Sequence, residues 1–315
     1  MLIISLPGLV SDCTRQSCYF LIMHKKKTEK KPPSREFFLS KKTRPSRVLG
    51  QNFIRDQSVL ERMGRIAALS GEDEILEIGA GLGALTLFLG EKVRRVIAVE
   101  KDRRLVEKLR ENVSTLKNIE IIEEDILKTE FKRFLRGNKL KVVSNLPYSI
   151  SSSVLFKLLE ERELFSLLVL MLQREVGERI AAPPGGKEYG SLSVLVQTYM
   201  DVSLELNVPP EAFWPRPKVD SVVIKLIPLL RPRIQISDEK LFRTVVRSAF
   251  SSRRKILANS LSSLLSKEQA EEILKSSGID GRRRAETLSL EEFGRITEVF
   301  HRYNRLKSGG SSVQT

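Results

Sequence analysis

The run Val143-Ser144-Asn145-Leu146-Pro147-Tyr148 holds the residue types in this chain best suited to chemistry. Asn145 carries an uncharged carbonyl acceptor and two amide donors. Pro147 fixes its own φ and biases Leu146 away from the helical region, which can turn the Leu146 carbonyl into the same pocket as the Asn145 side chain. Tyr148 offers a flat face on which a base can stack, worth about 1–3 kcal/mol. Two acceptors and one ring suit the exocyclic amino group of a planar base. Such an amine is a poor nucleophile because its lone pair is delocalised into the ring. Acceptors that hold both N–H bonds out of the ring plane localise that lone pair. The proton can leave after the new bond forms, so no strong base is required. Taken alone, the tetrapeptide reads equally as a proline-containing strand-to-helix turn with a capping Asn and a packed Tyr.

The flanking residues decide where this run sits. Residues 140–143 are apolar and read as a buried strand, and Ser151, Ser152 and Ser153 are expected to cap a helix over 154–159. The run then forms a turn at the carboxyl end of a strand, the edge where open α/β sheets bind ligands. Upstream, strands are predicted at 74–78, 96–99 and 119–122, with helices at 84–90 and from an Asp102 cap through Leu109. A longer strand at 165–172 and a helix at 174–182 follow. This alternation specifies a doubly wound parallel α/β sheet. Residues 202–208 and 219–227 read as late antiparallel strands separated by a proline-rich loop. Asp56 is expected to cap a helix carrying Val59, Leu60, Met63, Ile66 and Ala67 on one face.

Gly79, Gly81 and Gly83 follow the first of these strands and let the backbone approach a ligand. Read as Gly79-x-Gly81-x-x-Ala84, the turn also fits a dinucleotide fingerprint. Glu100, ending the next strand, stands where an acid binds ribose hydroxyls, and Asp125, ending the third, can accept from an adenine amino group. A nicotinamide cofactor and S-adenosylmethionine both fit so far. A dehydrogenase, however, needs a proton donor at the reacting carbon, and none stands out. Gly79, Glu100, Asp125 and Asn145 at four successive strand ends form a pattern far more specific than any one motif.

The chain has 315 residues, a formal net charge of +15 and a pI near 9.9. That excess points to a polyanionic partner, most often nucleic acid. No apolar run approaches the roughly 20 residues of a membrane span. Both cysteines, Cys13 and Cys18, lie near the N-terminus, and the two histidines, His24 and His301, lie near opposite ends. Disulfide scaffolds, zinc clusters, serine-type triads and metal sites are therefore not expected, and a cytoplasmic, reducing location is.

The sequence resembles the rRNA adenine N6-dimethyltransferase family of the KsgA type, which acts on small-subunit rRNA. The matching pieces are Gln51-Asn52-Phe53-Ile54, Glu77-Ile78-Gly79-Ala80-Gly81-Leu82-Gly83, Val99-Glu100, Glu124-Asp125 and Asn145-Leu146-Pro147-Tyr148. Phe213-Trp214-Pro215-Arg216-Pro217-Lys218-Val219-Asp220-Ser221 and Ser252-Arg253-Arg254-Lys255 extend the match, which covers roughly residues 47–303. The resemblance implies a Rossmann-like S-adenosylmethionine-dependent methyltransferase sheet with a small C-terminal all-helical domain. It implies that Asn52, Ile54, Gly79, Gly81, Glu100, Asp125 and Asn145 hold S-adenosylmethionine. Asn145 and the Leu146 carbonyl would hold the target amine, Pro147 would shape the turn, Tyr148 would stack on the base, and Phe213 would close its other face. The implied substrate is a pair of adjacent adenosines in the hairpin near the 3′ end of small-subunit (16S) rRNA, each taking two methyl groups within a pre-ribosomal particle. A target base must leave its stack to enter such a pocket.

Four parts are expected: a basic extension over 1–46, the methyltransferase domain over 47–230, a helical RNA-binding domain over 231–305 and a tail over 306–315. Helices are predicted at 241–250, 254–265, 267–275 and 290–303. Arg243, Arg247, Arg253, Arg254 and Lys255, with Arg282, Arg283 and Arg284, are candidates for holding the RNA backbone, which is read by shape rather than sequence. A monomer is expected. Two other readings remain: a large-subunit rRNA adenine methyltransferase of the macrolide-resistance type, and a non-catalytic RNA-binding assembly factor on the same fold.

Overall fold

The computed structural model describes residues 51–252 and 254–309. The expected extension over 1–46, Cys13, Cys18, His24 and Arg253 lie outside the described residues, as do residues 310–315.

Among the described residues nine strands form two sheets. The large one contains β2 (Glu74–Ile78), β3 (Arg95–Glu100), β4 (Ile119–Glu123), β5 (Leu140–Asn145), β6 (Phe165–Gln173), β7 (Met200–Val208) and β9 (Ser221–Pro228), in the order β4-β3-β2-β5-β6-β9-β7. The first five in this order are parallel, and β9 runs antiparallel to both of its neighbours. The small sheet pairs β1 (Phe53–Ile54) with β8 (Phe213–Trp214).

The central strands are mostly apolar on both faces because both faces are covered. Leu168, Leu170 and Leu172 of β6 enter one core, while Leu167, Val169 and Met171 enter the other. On the second face lie α1 (Gln57–Ile66), α2 (Ala84–Gly90) and Leu109 of α3 (Arg103–Asn112). On the first face lie α4 (Ser151–Glu160), α5 (Arg174–Ala181) and α6 (Ser191–Tyr199). That core continues through Phe242 of α7 (Glu239–Ala249), α8 (Leu257–Leu261), α9 (Lys267–Ser276) and Phe293 of α10 (Leu290–Gly309).

Asp56 and Asp102 cap α1 and α3, accepting from the backbone N–H of Ser58 and Arg104. Three local expectations are corrected. Ser151, Ser152 and Ser153 sit inside the first turn of α4, whose cap position is Ile150; the i to i+3 bond from Ile150 N to Pro147 O already tightens the chain ahead of them. The helix expected over 254–265 shrinks to α8, because its first two residues donate across to another segment, Leu257 N to Arg283 O and Ala258 N to Gly281 O, rather than back to an earlier turn. The last helix runs on to Gly309. Helix α6 was not anticipated; its run of apolar residues lacks a helical period because nearly the whole surface is buried.

Register places the chemistry. Ile78 pairs with Val99 and Glu100 with Glu123, so Gly79, Glu100 and Asp125 emerge along one edge. The chain leaves β2 outward to β3 and β4, then returns to β5 on the other side of β2. The carboxyl ends of β2 and β5 therefore flank the topological switch point, where such sheets open a crevice.

Candidate active site

Between β2 and β5 the ladder pairs Ile75 with Lys141 and Leu76 with Val142. Beyond it the Ser144 hydroxyl takes over, accepting from Ile78 N (3.1 Å) and donating to Ile78 O (2.5 Å). The strands stay tied while their ends separate. The resulting cavity encloses about 1090 Å³ with its open mouth, and Asn52, Ile54, Gly79, Gly81, Glu100, Asp125, Asn145, Leu146, Pro147 and Tyr148 all line it. Ten of the eleven catalytic and cofactor residues expected from the sequence thus meet in one place.

Asn145, at the tip of β5, is oriented from 93 residues away: its Nδ2 donates to the Asn52 carbonyl at 2.9 Å. Its Oδ1 is buried and has no hydrogen-bond partner among the described residues. A buried acceptor left unsatisfied costs about 1–3 kcal/mol, so this amide is held ready for a donor. The adjoining turn is fixed by the bond from Leu146 N to Met171 O at 2.9 Å. The Tyr148 hydroxyl lies 2.5 Å from Ser221 Oγ, and burial pushes its pKa up, against the lowering effect of that bond. The ring stays a neutral phenol.

Gly79 and Gly81 adopt φ of +72° and +59°, values a side chain resists. A Cβ on Gly79 would meet the Pro147 ring at 2.9 Å, and one on Gly81 would meet the Phe53 ring at 2.9 Å. The turn after β2 is therefore packed directly against both the Asn145–Tyr148 turn and the β1 segment. The Glu100 carboxylate gathers three backbone donors: Gly81 N (2.9 Å), Lys101 N (2.9 Å) and Asp102 N (2.8 Å). Burial nonetheless raises its pKa, the three N–H groups opposing the shift. Asp125 accepts from Lys101 Nζ at 2.8 Å and from Leu127 N at 3.0 Å, and the lysine holds its carboxyl below the usual range.

Lys101, Glu77 and Ser144 were given no role by the sequence reading, although Glu77 and Ser144 stand within its motifs. Lys101 and Glu77 line the cavity, and Ser144 ties its two walls. Glu77 is 2% exposed and its Oε2 has no partner. Burial pushes its carboxyl up to about 8, with the Thr86 hydroxyl opposing and the Glu100 charge adding to the shift. The signal was present: a carboxylate in the middle of the buried strand Glu74-Ile75-Leu76-Glu77-Ile78.

Phe213 is the exception among the expected site residues. Its ring is 2% exposed, packs in the core with Leu206, Val208 and Val223, and is not on the cavity wall. The cause is its pairing with Ile54 across the β1–β8 ribbon, which directs it behind the pocket. Of the basic candidates, Arg243 forms an ion pair with Glu160 at 3.0 Å and Arg247 lies over the Phe156 ring, so both reach α4. Arg254 and Lys255 are exposed. Arg282 pairs with Asp280, Arg283 with Glu292 and Arg284 with Glu286. Among the described residues no group of His, Cys, Asp and Glu could hold a metal ion, and no helix is long and apolar enough to cross a membrane.

Residues 42–302 match the family model described as ribosomal RNA adenine dimethylase. The chain is 48% identical over 262 residues to ribosomal RNA small subunit methyltransferase A of Geobacter metallireducens, covering 81% of this chain and 95% of that protein. The protein of that name from Clostridium acetobutylicum is 44% identical over 259 residues, covering 82% and 94%. Among solved structures, a dimethyladenosine transferase from Plasmodium falciparum aligns with a TM-score of 0.67 at 27% identity, over 80% of this chain and 98% of that one. The 23S rRNA methyltransferase ErmE aligns at 0.58 and 25%, over 79% and 99%.

Proposed function

The chain belongs to the ribosomal RNA adenine dimethylase family, and from that premise we propose that it transfers methyl groups from S-adenosylmethionine to the N6 amines of two adjacent adenosines in the 3′-terminal hairpin of small-subunit rRNA. Each adenosine receives two. The protein acts as a monomer, in the cytoplasm, on a pre-ribosomal particle.

The observation that carries the reading is the Asn145 amide, its nitrogen committed to Asn52 and its buried oxygen without a partner among the described residues, beside the glycine turn. The cavity suits the methyl donor: the two glycines keep its floor clear of side chains, and the bound Glu100 carboxylate retains acceptor capacity beyond its three N–H bonds. S-adenosylmethionine supplies an electrophilic methyl group there. Glu100 would take the ribose hydroxyls and Asp125 the adenine amine, with Asn52, Ile54, Gly79 and Gly81 enclosing the rest.

Asn145 Oδ1 and the Leu146 carbonyl accept the two N–H bonds of the target amine, which localises its lone pair toward the methyl group. Tyr148 stacks on the everted base. Phe213 supports the wall from behind through its pairing with Ile54. Arg254 and Lys255, exposed beyond α7, hold the RNA backbone together with Arg243, Arg247 and Arg253. A non-catalytic assembly role has no use for an amide oriented in this way, and the relatives near 45% identity carry small-subunit rather than large-subunit names.

The test is transfer of radiolabelled methyl groups to unmodified small ribosomal subunits and to large-subunit RNA, with mapping of the labelled nucleotides. Label on N6 of two neighbouring adenosines near the 3′ end of the small-subunit RNA is expected. Label confined to large-subunit RNA, or to neither, overturns the reading.

A further inference from the structure

We propose that Ser221 is a positioning residue for the target base, acting through its hydrogen bond to the Tyr148 hydroxyl. The inference rests on the proposed function, since it assigns a task to the ring that the target base stacks on.

Tyr148 lines the cavity from the turn after β5. A tyrosine side chain turns about two bonds, so a ring fixed only at its Cα end can swing across the pocket. Here the far end is fixed as well, by the 2.5 Å contact to Ser221 Oγ. Ser221 is itself among the most constrained residues of the molecule. It is fully buried and opens β9, where it pairs with Gln173 of β6 on one side and Val208 of β7 on the other. The residue before it is held too, by the bond from Arg174 N to Asp220 O at 3.0 Å. The Tyr148 backbone is restrained from its own side, its carbonyl accepting from Ser151 Oγ at 3.3 Å. The ring is thus strung between the parallel and antiparallel halves of the sheet. A stacking face held at both ends presents one plane to an incoming base, so less freedom has to be lost when the base arrives.

The task is distinct from donor binding and from the Asn145 acceptor. It predicts that removing either hydroxyl harms the chemical step with RNA while leaving donor affinity alone. The experiment compares Tyr148→Phe, Ser221→Ala, Ser221→Thr and the Tyr148→Phe/Ser221→Ala pair in the full-length chain. Methyl transfer to unmodified small subunits is measured at saturating donor and RNA, with donor affinity by calorimetry and thermal melting as a check of folding. Tyr148→Phe keeps the stacking face and introduces no new group, so it reports even if Ser221→Ala melts early.

Each single variant should lower kcat by about 3- to 10-fold, the worth of one hydrogen bond. The pair should be no worse than either alone, Ser221→Thr should restore most of the loss, and donor affinity should hold. A kcat for Tyr148→Phe equal to that of the original chain, or losses that multiply in the pair, overturns the inference. Transfer by the unsubstituted chain in the same assay separates the two levels. If it methylates small subunits and the variants match it, only the Ser221 role fails; if it does not, the functional reading fails first.

Discussion

The two halves of the cavity are built on opposite principles. On the half proposed to hold the donor, at the ends of β3 and β4, Glu100 is satisfied by three backbone N–H groups and Asp125 by Lys101 and Leu127. On the target half, at the end of β5, Asn145 is anchored through its nitrogen and left unsatisfied at its oxygen. A carboxylate held by fixed donors is a shape, set before the ligand arrives. An acceptor without a partner is stored free energy, recovered when an amine enters. On the proposed assignment, affinity for the donor would be distributed over many contacts, while reactivity toward the amine would be concentrated in the turn of Asn145 and Leu146.

That contrast can be broken most directly at its concentrated end. Asn145→Ala should lower methyl transfer by about 100- to 1000-fold, the usual loss when one preorganised transition-state contact is removed. Donor affinity should fall far less, because the remaining contacts persist. Steady-state transfer with calorimetric donor binding measures both, and equal losses in the two would erase the distinction.

Glu100→Gln tests the other half. The amide has one oxygen, with an NH2 donor in place of the other, so at least one of the Gly81, Lys101 and Asp102 N–H groups loses its partner. A charge-assisted hydrogen bond is worth about 1.5–3 kcal/mol. Donor affinity should weaken by roughly tenfold to a hundredfold, with kcat at saturating donor much less affected.

Glu77 sharpens the comparison because it belongs to the donor half yet is unsatisfied. Its folded carboxyl titrates near 8, far above the ordinary value of 4.5. Between those values the folded chain binds a proton that the unfolded chain has released, so this group makes stability fall as pH rises through the window and adds nothing further above about 8. Glu77→Gln should therefore gain on the original chain by up to about 1.4 kcal/mol per pH unit across that window. Melting temperatures at pH 5.5, 7 and 8.5 would show it, and a constant difference at all three would refute the burial argument.

The smallest effect is expected at Lys101. Its ion pair with Asp125 is largely exposed on the lysine side, and exposed pairs contribute about 0–1 kcal/mol. Lys101→Met should change donor affinity by no more than about fivefold, and the change should shrink in high salt.

The halves are not independent. The Pro147 ring occupies the space a Cβ on Gly79 would need, so the donor turn is glycine partly because the target turn leans on it. Sequence spacing suggested a glycine for a ligand's approach; the proline contact is a second reason that no local pattern carries. Phe213 shows the opposite case. The family resemblance implied a face closing on the base, but pairing with Ile54 commits its ring to the core.

Local sequence was sufficient where the deciding forces are local. Alternating apolar strands and capped helices specified the α/β class, and the residues after each strand specified the edge bearing Gly79, Glu100, Asp125 and Asn145. Tertiary structure alone decided what those residues touch. The bond from Asn145 to Asn52, the contact of Tyr148 with Ser221, 73 residues on, and the insertion of β9 between β6 and β7 depend on strand order and register. Hydrophobic period reports which face a residue turns inward. It carries no information about which distant segment will be waiting there, because that is settled only when the sheet closes and its buried polar groups must find partners.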